Sequence, residues 1–150
     1  MKKRIISCGL AVLLILLSGC KANTASAQEL KKLGLDPRSG NITLRILSKN
    51  AFHGEDLLKL VVKFPKDQTG ILSQDLNWHP FPMDADTFQW LDQELDGIAS
   101  PAAQIQRGYY TLQGVNPAAP EDSMHKGHYQ FIAAVYDQDR QTMYYCEVSA

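Results

Sequence analysis

The sequence predicts an α+β domain, an antiparallel sheet of about five strands with helical cover on one face. Three observations predict it. Ile42–Lys49 and Leu57–Phe64 alternate apolar and polar residues with period two, and a short loop joins them. His128–Tyr136 and Thr142–Val148 frame the Asp137–Gln141 turn as a second hairpin. Between the two pairs lies Asp86–Asp96, with Phe88, Leu91 and Leu95 at helical spacing. Runs of strands with a separate helix favour α+β layering over an alternating βαβ fold.

Taken in order, the chain opens on Lys2, Lys3 and Arg4, followed by the 13 largely apolar residues Ile5–Leu17. As a helix that run would span roughly 20 Å, against about 30 Å for a bilayer core. It suits the apolar core of a secretory signal better than a spanning helix. Leu17-Ser18-Gly19-Cys20 closes the run, and the chain turns polar at Lys21. This stretch resembles the lipobox of bacterial lipoproteins, with all four positions matched. The resemblance implies that Cys20 takes a diacylglycerol through a thioether and that residues 1–19 leave as signal peptide. The chain would then be a lipid-anchored lipoprotein at the outer face of the cell membrane. Each buried methylene contributes about 0.8 kcal/mol, and stable anchoring takes more than one chain.

Removing residues 1–19 takes away Lys2, Lys3 and Arg4. That leaves 12 Lys and Arg against 16 Asp and Glu, a net charge of −4. Such a chain has neither the basic footprint of a nucleic-acid binder nor a polybasic patch for anionic lipid. Of the three cysteines, Cys8 lies in the signal and Cys20 is assigned to lipid, so Cys146 has no disulfide partner. Cys146 sits in an apolar run and is expected to pack in the core.

Lys21–Glu29 reads as a polar tether, part of a lipidated and flexible segment over 20–41, ahead of one globular domain over 42–150. Leu30–Leu35 is expected to form a turn of helix, stopped by Gly34 and Asp36-Pro37. In the first strand Ile42, Leu44 and Ile46 are expected on one face, with Thr43 and Arg45 on the other. In the second, Leu58, Leu60, Val62 and Phe64 point inward. Asp67–Leu76 suits a short helix capped by Asp67. Asn77–Met83 reads as irregular, because Pro80 and Pro82 remove donors and fix the backbone. In Asp86–Asp96, Asp86 is the expected cap, with Gln89 three residues on, and Gly97 is the stop. Gly108–Leu112 is the third strand. Gln113–Lys126 is a polar loop of a length that is uncommon without a role.

A second resemblance rests on Phe52-His53-Gly54, Trp78-x-Pro80-x-Pro82, Gly108-Tyr109-Tyr110, Phe131-x-x-Ala134-x-Tyr136-Asp137 and Tyr144-Tyr145-x-Glu147. Together these are similar to an uncharacterised family of small exported proteins of Gram-positive bacteria. The resemblance implies export and no particular activity. Gln113–Lys126 departs from the polar stretch that follows the Gly-Tyr-Tyr strand in those proteins.

The candidate binding surface consists of His53, Glu55, Trp78, Tyr109 and Tyr110. His53 and Glu55 sit with Asp56 in a polar loop between strands, a group that also suits a solvated hairpin. Tyr109 and Tyr110 are adjacent on a strand, so they face opposite ways and one of them is expected on the outer face. The same holds for Tyr144 and Tyr145. Aromatic anchors are typical of binding surfaces.

No catalytic residue, metal ligand or cofactor is assigned. Ser73, Ser100 and Ser123 lack a nucleophile-elbow context, and no glycine-rich phosphate loop occurs. His125-x-x-His128 lies beside Gly127, which argues against a helix that would bring both rings together. Asp137-x-Asp139 lacks the glycine and distal glutamate of a calcium loop, and Asp92, Glu94 and Asp96 read as a solvated helix face. The expected function is a membrane-tethered module that binds an extracytoplasmic protein or wall polymer. The alternatives are an inhibitor or immunity-type lipoprotein acting on an exported enzyme or toxin, and a small hydrolase.

Overall fold

Alternation, caps and turn residues set the elements of the chain, and a computed structural model describes residues 24–52, 55–98, 104–114 and 130–149. The chain divides into two units, Met1–Pro37 and Arg38–Ala150.

In the first unit, helix α1 spans Thr24–Lys32. Most of the stretch expected to be a tether is therefore helical. Ala, Gln, Glu and Lys are strong helix formers, and Lys31 and Lys32 stand in the last turn, where cations favour the dipole. Gly34 ends the helix at φ 73°. The N–H groups of Gly34 and Leu35 donate to the carbonyls of Lys31 (3.1 Å) and Leu30 (3.0 Å), which is the Schellman pattern. Leu30, Leu33 and Leu35 are buried.

In the second unit, β1 (Asn41–Phe52), β2 (Glu55–Lys63), β3 (His79–Pro80), β4 (Gly108–Gln113), β5 (Phe131–Asp137) and β6 (Thr142–Ser149) form one antiparallel sheet. Its order is β1-β2-β6-β5-β4-β3. The sheet has six strands where about five were expected. The extra strand is β3, within the stretch read as irregular. Proline is tolerated on an edge, where its missing N–H faces away from the ladder. His79 pairs with Tyr110 and Pro80 with Tyr109, and the Phe81 N–H donates to the Gly108 carbonyl (3.1 Å).

The first hairpin is tighter than expected, since Phe52 pairs with Glu55. A register shift between Ile42 and Leu44 also alters the faces of β1. Ile42 sits opposite Val62 and Leu44 opposite Val61, so these two residues, expected on one face, lie on opposite faces.

Helix α2 spans Thr69–Leu72 and α3 spans Ala85–Glu94. The cap of α3 is Asp84 rather than Asp86. Its Oδ1 accepts from the Thr87 N–H (2.9 Å) and its Oδ2 from the Thr87 hydroxyl (2.7 Å). These bonds hold the carboxylate below its ordinary value. Gly97 follows at φ 82°.

Successive residues of a strand face opposite sides, and in the central strands both sides are buried. On one side Phe131, Ala133, Val135, Tyr144, Cys146 and Val148 join Trp90 and Leu91 of α3, with Leu95, Ile98 and Ile105, in a single apolar cluster. On the other side Leu58, Leu60, Val62, Thr111, Ala134, Tyr136, Met143 and Tyr145 are buried, and Phe64 meets Tyr136 edge-on at 5.9 Å. Tyr144 and Tyr145 are accordingly both buried, against the expectation that one would face outward. A central strand covered on both faces has no outer side.

Candidate binding surface

Four of the five residues of the candidate surface, Glu55, Trp78, Tyr109 and Tyr110, are described. His53 lies outside the described residues. Glu55 and Trp78 are 5% and 4% exposed, so neither offers area to a partner. Tyr109 and Tyr110 are both half-buried, on opposite faces of β4. Glu55 opens β2 and the tyrosines lie on β4, with β6 and β5 between them. At about 4.8 Å per strand, that separation is roughly 14 Å across the sheet alone.

The structure gathers a different group around Tyr110. The pairing of β3 with β4 sets His79 directly beside it, with ring centroids 5.4 Å apart. Phe81 packs edge-on against the same ring at 6.1 Å, a favoured aromatic geometry. The Phe81–Pro82 peptide is cis. His79 is exposed, while Phe81 and Tyr110 are half-buried. Burial, and then the charge of Asp84, push the Tyr110 hydroxyl above its ordinary value, so at neutral pH it keeps its proton and can donate. His79 was not nominated from sequence. Its signal was the two-residue strand, which the flanking prolines concealed.

A second polar group lies beside the core. The Tyr136 hydroxyl donates to Asp67 Oδ1 (2.9 Å) and accepts from the Gln68 N–H (3.1 Å). Asp67 Oδ1 also accepts from the N–H and hydroxyl of Thr69, at 3.1 and 2.7 Å. Burial, opposed by the Gln68 N–H and reinforced by Asp67, pushes the Tyr136 hydroxyl up to about 12. Burial works against the charged form of Asp67, but bonds from Thr69, Tyr136 and Gln138 outweigh it and hold the carboxyl below its ordinary 3.8.

A pH dependence follows from Asp67. Its folded-state value is the lower one, so its contribution to stability is complete above the ordinary value and is lost as pH falls through the folded value. Asp67→Asn removes that contribution. The stability gap between wild type and Asp67→Asn is expected to be open at neutral pH and to close as pH drops below 3.8. An acid-denaturation series with a constant gap throughout would contradict this network.

Asp137, Asp139, Cys146 and Glu94 take structural roles. The Asp137 carboxylate accepts from the Arg140 N–H and guanidinium, both at 3.0 Å, and Asp139 pairs with Arg107, so arginines occupy both carboxylates of the turn. Burial, then the charge of Glu94, push the Cys146 thiol up to about 12, so at neutral pH it packs as a small apolar group. Glu94 is not part of a wholly solvated face. Burial raises it, against the charge of Lys59, whose ammonium donates to the Asp96 carbonyl at 2.8 Å. His125, His128, Ser100 and Ser123 lie outside the described residues, as does most of the Gln113–Lys126 loop. Among the described residues no three His, Cys, Asp or Glu come together, and no helix is long and apolar enough to cross a membrane.

Leu44, Ile46 and Leu47 of β1 are 40%, 40% and 50% exposed, three of the five large apolar residues so exposed among those described. They lie on a strand that, among the described residues, pairs with β2 alone. No family model, curated protein or solved structure matches the chain.

Proposed function

We propose that the chain is a lipid-anchored extracytoplasmic lipoprotein whose globular unit binds a protein or wall polymer at the outer face of the cell membrane. The observation that carries this reading is Leu17-Ser18-Gly19-Cys20 closing a basic and then apolar N-terminal segment. Cys20 supplies the thiol for the lipid, and residues 1–19 leave with the signal. In this reading α3 belongs to a helical cover on one face of the sheet. The binding surface then includes the exposed His79 with the part of Phe81 and Tyr110 that their packing on the apolar cluster leaves open, an aromatic group with a hydroxyl donor, of the kind that anchors interfaces.

Tyr110→Ala tests the patch. A truncated interface anchor costs about 2 kcal/mol or more in binding, so recovery of the membrane partner in a crosslinked pull-down should fall by roughly tenfold or more. The melting temperature should move less than for Tyr144→Ala, whose ring is buried within the apolar cluster that the half-buried Tyr110 only borders. A Tyr110→Ala protein that unfolds as readily as Tyr144→Ala, or that recovers its partner undiminished, would remove the patch from the interface. An inhibitor or immunity role is the special case in which the recovered partner is an exported enzyme or toxin that loses activity in the complex.

A further inference from the structure

We propose that β1 accepts an extended segment of a partner protein, apolar and acidic in alternation, as a seventh strand of the sheet. This goes beyond the aromatic patch, which lies at the opposite edge. Among the described residues β1 pairs only with β2, and an edge strand presents a row of unpaired N–H and C=O groups. Register shifts bracket the strand between Ile42 and Leu44 and between Ser48 and Phe52. From Leu44 to Ser48 the pairing with β2 runs residue for residue, so the bulges that often blunt an edge flank this stretch and do not interrupt it. Leu44 and Ile46 lie on one face and Leu47 on the other. An added strand that alternates would set its apolar residues on the face of Leu44 and Ile46 and its acidic residues on the face that Leu47 shares with Arg45. The far edge contrasts with this, since β3 is two residues long and carries Pro80.

Charge selects the occupant. Asn41–Phe52 contains Arg45 and Lys49 and no carboxylate. A second copy is the obvious alternative, but antiparallel self-pairing centred on Leu47 sets Arg45 opposite Lys49 on both sides of the centre. Like charges directly opposite are destabilising. A strand with Asp or Glu at those positions reverses the sign and keeps the main-chain bonds. Strand addition of this kind draws affinity from the ladder and selectivity from alternate side chains.

The test titrates the full chain in detergent with three short labelled peptides, read by fluorescence anisotropy. One alternates Val with Glu, one Val with Lys, and one repeats the Val–Glu sequence with N-methylated backbone. The Glu peptide is expected to bind about tenfold or more tightly than the Lys peptide, and the N-methylated peptide should not bind. Exchanging both cations, Arg45→Glu with Lys49→Glu, should invert the order, because these exposed side chains recognise charge and do not hold the fold. Hydrogen exchange should slow at residues 44–48 when the Glu peptide is added. Equal binding of the acidic and basic peptides, binding of the N-methylated one, or an order unchanged by the double substitution would overturn the proposal. A dimer in sedimentation that Leu47→Glu dissociates would also overturn it, in favour of a second copy. The titration uses neither the lipid nor a membrane partner, so its failure would leave the anchoring and the Tyr110 test untouched.

Discussion

Leu91→Ala is expected to destabilise the sheet unit by about 2–5 kcal/mol, the cost of emptying a fully buried leucine site. Leu91 is 0% exposed and lies within the cluster that joins α3 to β5 and β6. Its neighbours there include Trp90, Phe131 and Tyr144, and Trp90 meets Phe131 edge-on at 5.1 Å. Rings held in that arrangement cannot collapse into a leucine-sized space without losing their own contacts, so part of the cavity should persist. For a unit of this size the loss corresponds to a fall in melting temperature of roughly 10–20 °C. The matched control is Leu76, which is 95% exposed. Leu76→Ala makes the same chemical change with no cavity and should stay within about 0.5 kcal/mol of wild type. Urea unfolding of both variants measures the difference. Similar midpoints for the two would show that α3 does not pack on the sheet as described.

The second large effect concerns location. Cys20→Ser keeps Lys2, Lys3, Arg4 and the apolar run and removes only the thiol. The precursor should still be exported, because the features read by the export machinery are intact. It should no longer incorporate labelled fatty acid. Since lipoprotein cleavage depends on the modified cysteine, the variant should persist unprocessed or be clipped elsewhere. Wild-type protein should partition into detergent and stay with membranes in high salt, because salt screens ionic attachment but not buried acyl chains. Equal acyl labelling of wild type and Cys20→Ser would place any lipid elsewhere in the chain.

Features with a local cause were legible in the sequence. Leu58, Leu60 and Val62 were expected to point inward and are buried together, because alternation on a strand is read from neighbouring residues. The Asp137–Gln141 turn and the Gly97 stop were legible for the same reason. The errors arise where distant partners decide. Pro80 reads as a breaker, yet on an edge it gives up no ladder bond. One error is local instead: Asp84 and Asp86 are equally good caps by type, and Asp84 takes the place because its carboxylate meets Thr87, three residues on. Tyr144 and Tyr145 read as one inward and one outward residue because period two assumes a solvated face. The position of β6 between β2 and β5, covered on both sides, removes that face.

The candidate site was less legible than the fold, for a related reason. Tyr109 and Tyr110 could be nominated by residue type, but the residues that share a face with Tyr110 come through the short pairing of β3 with β4. Trp78 and Glu55 have the chemistry of surface anchors and the burial of core residues. The place of β1 at the end of the described strand order depends on long-range pairing, which no local pattern encodes.

The lipid anchor is read from the mass of the first peptide of the mature wild-type protein. Protein purified from membranes in detergent and digested with a protease should yield a peptide that begins at Cys20 and carries the mass of a diacylglycerol on its sulfur. A peptide that begins elsewhere, or one that begins at Cys20 with a free thiol, would contradict the lipoprotein reading and the location at the membrane surface.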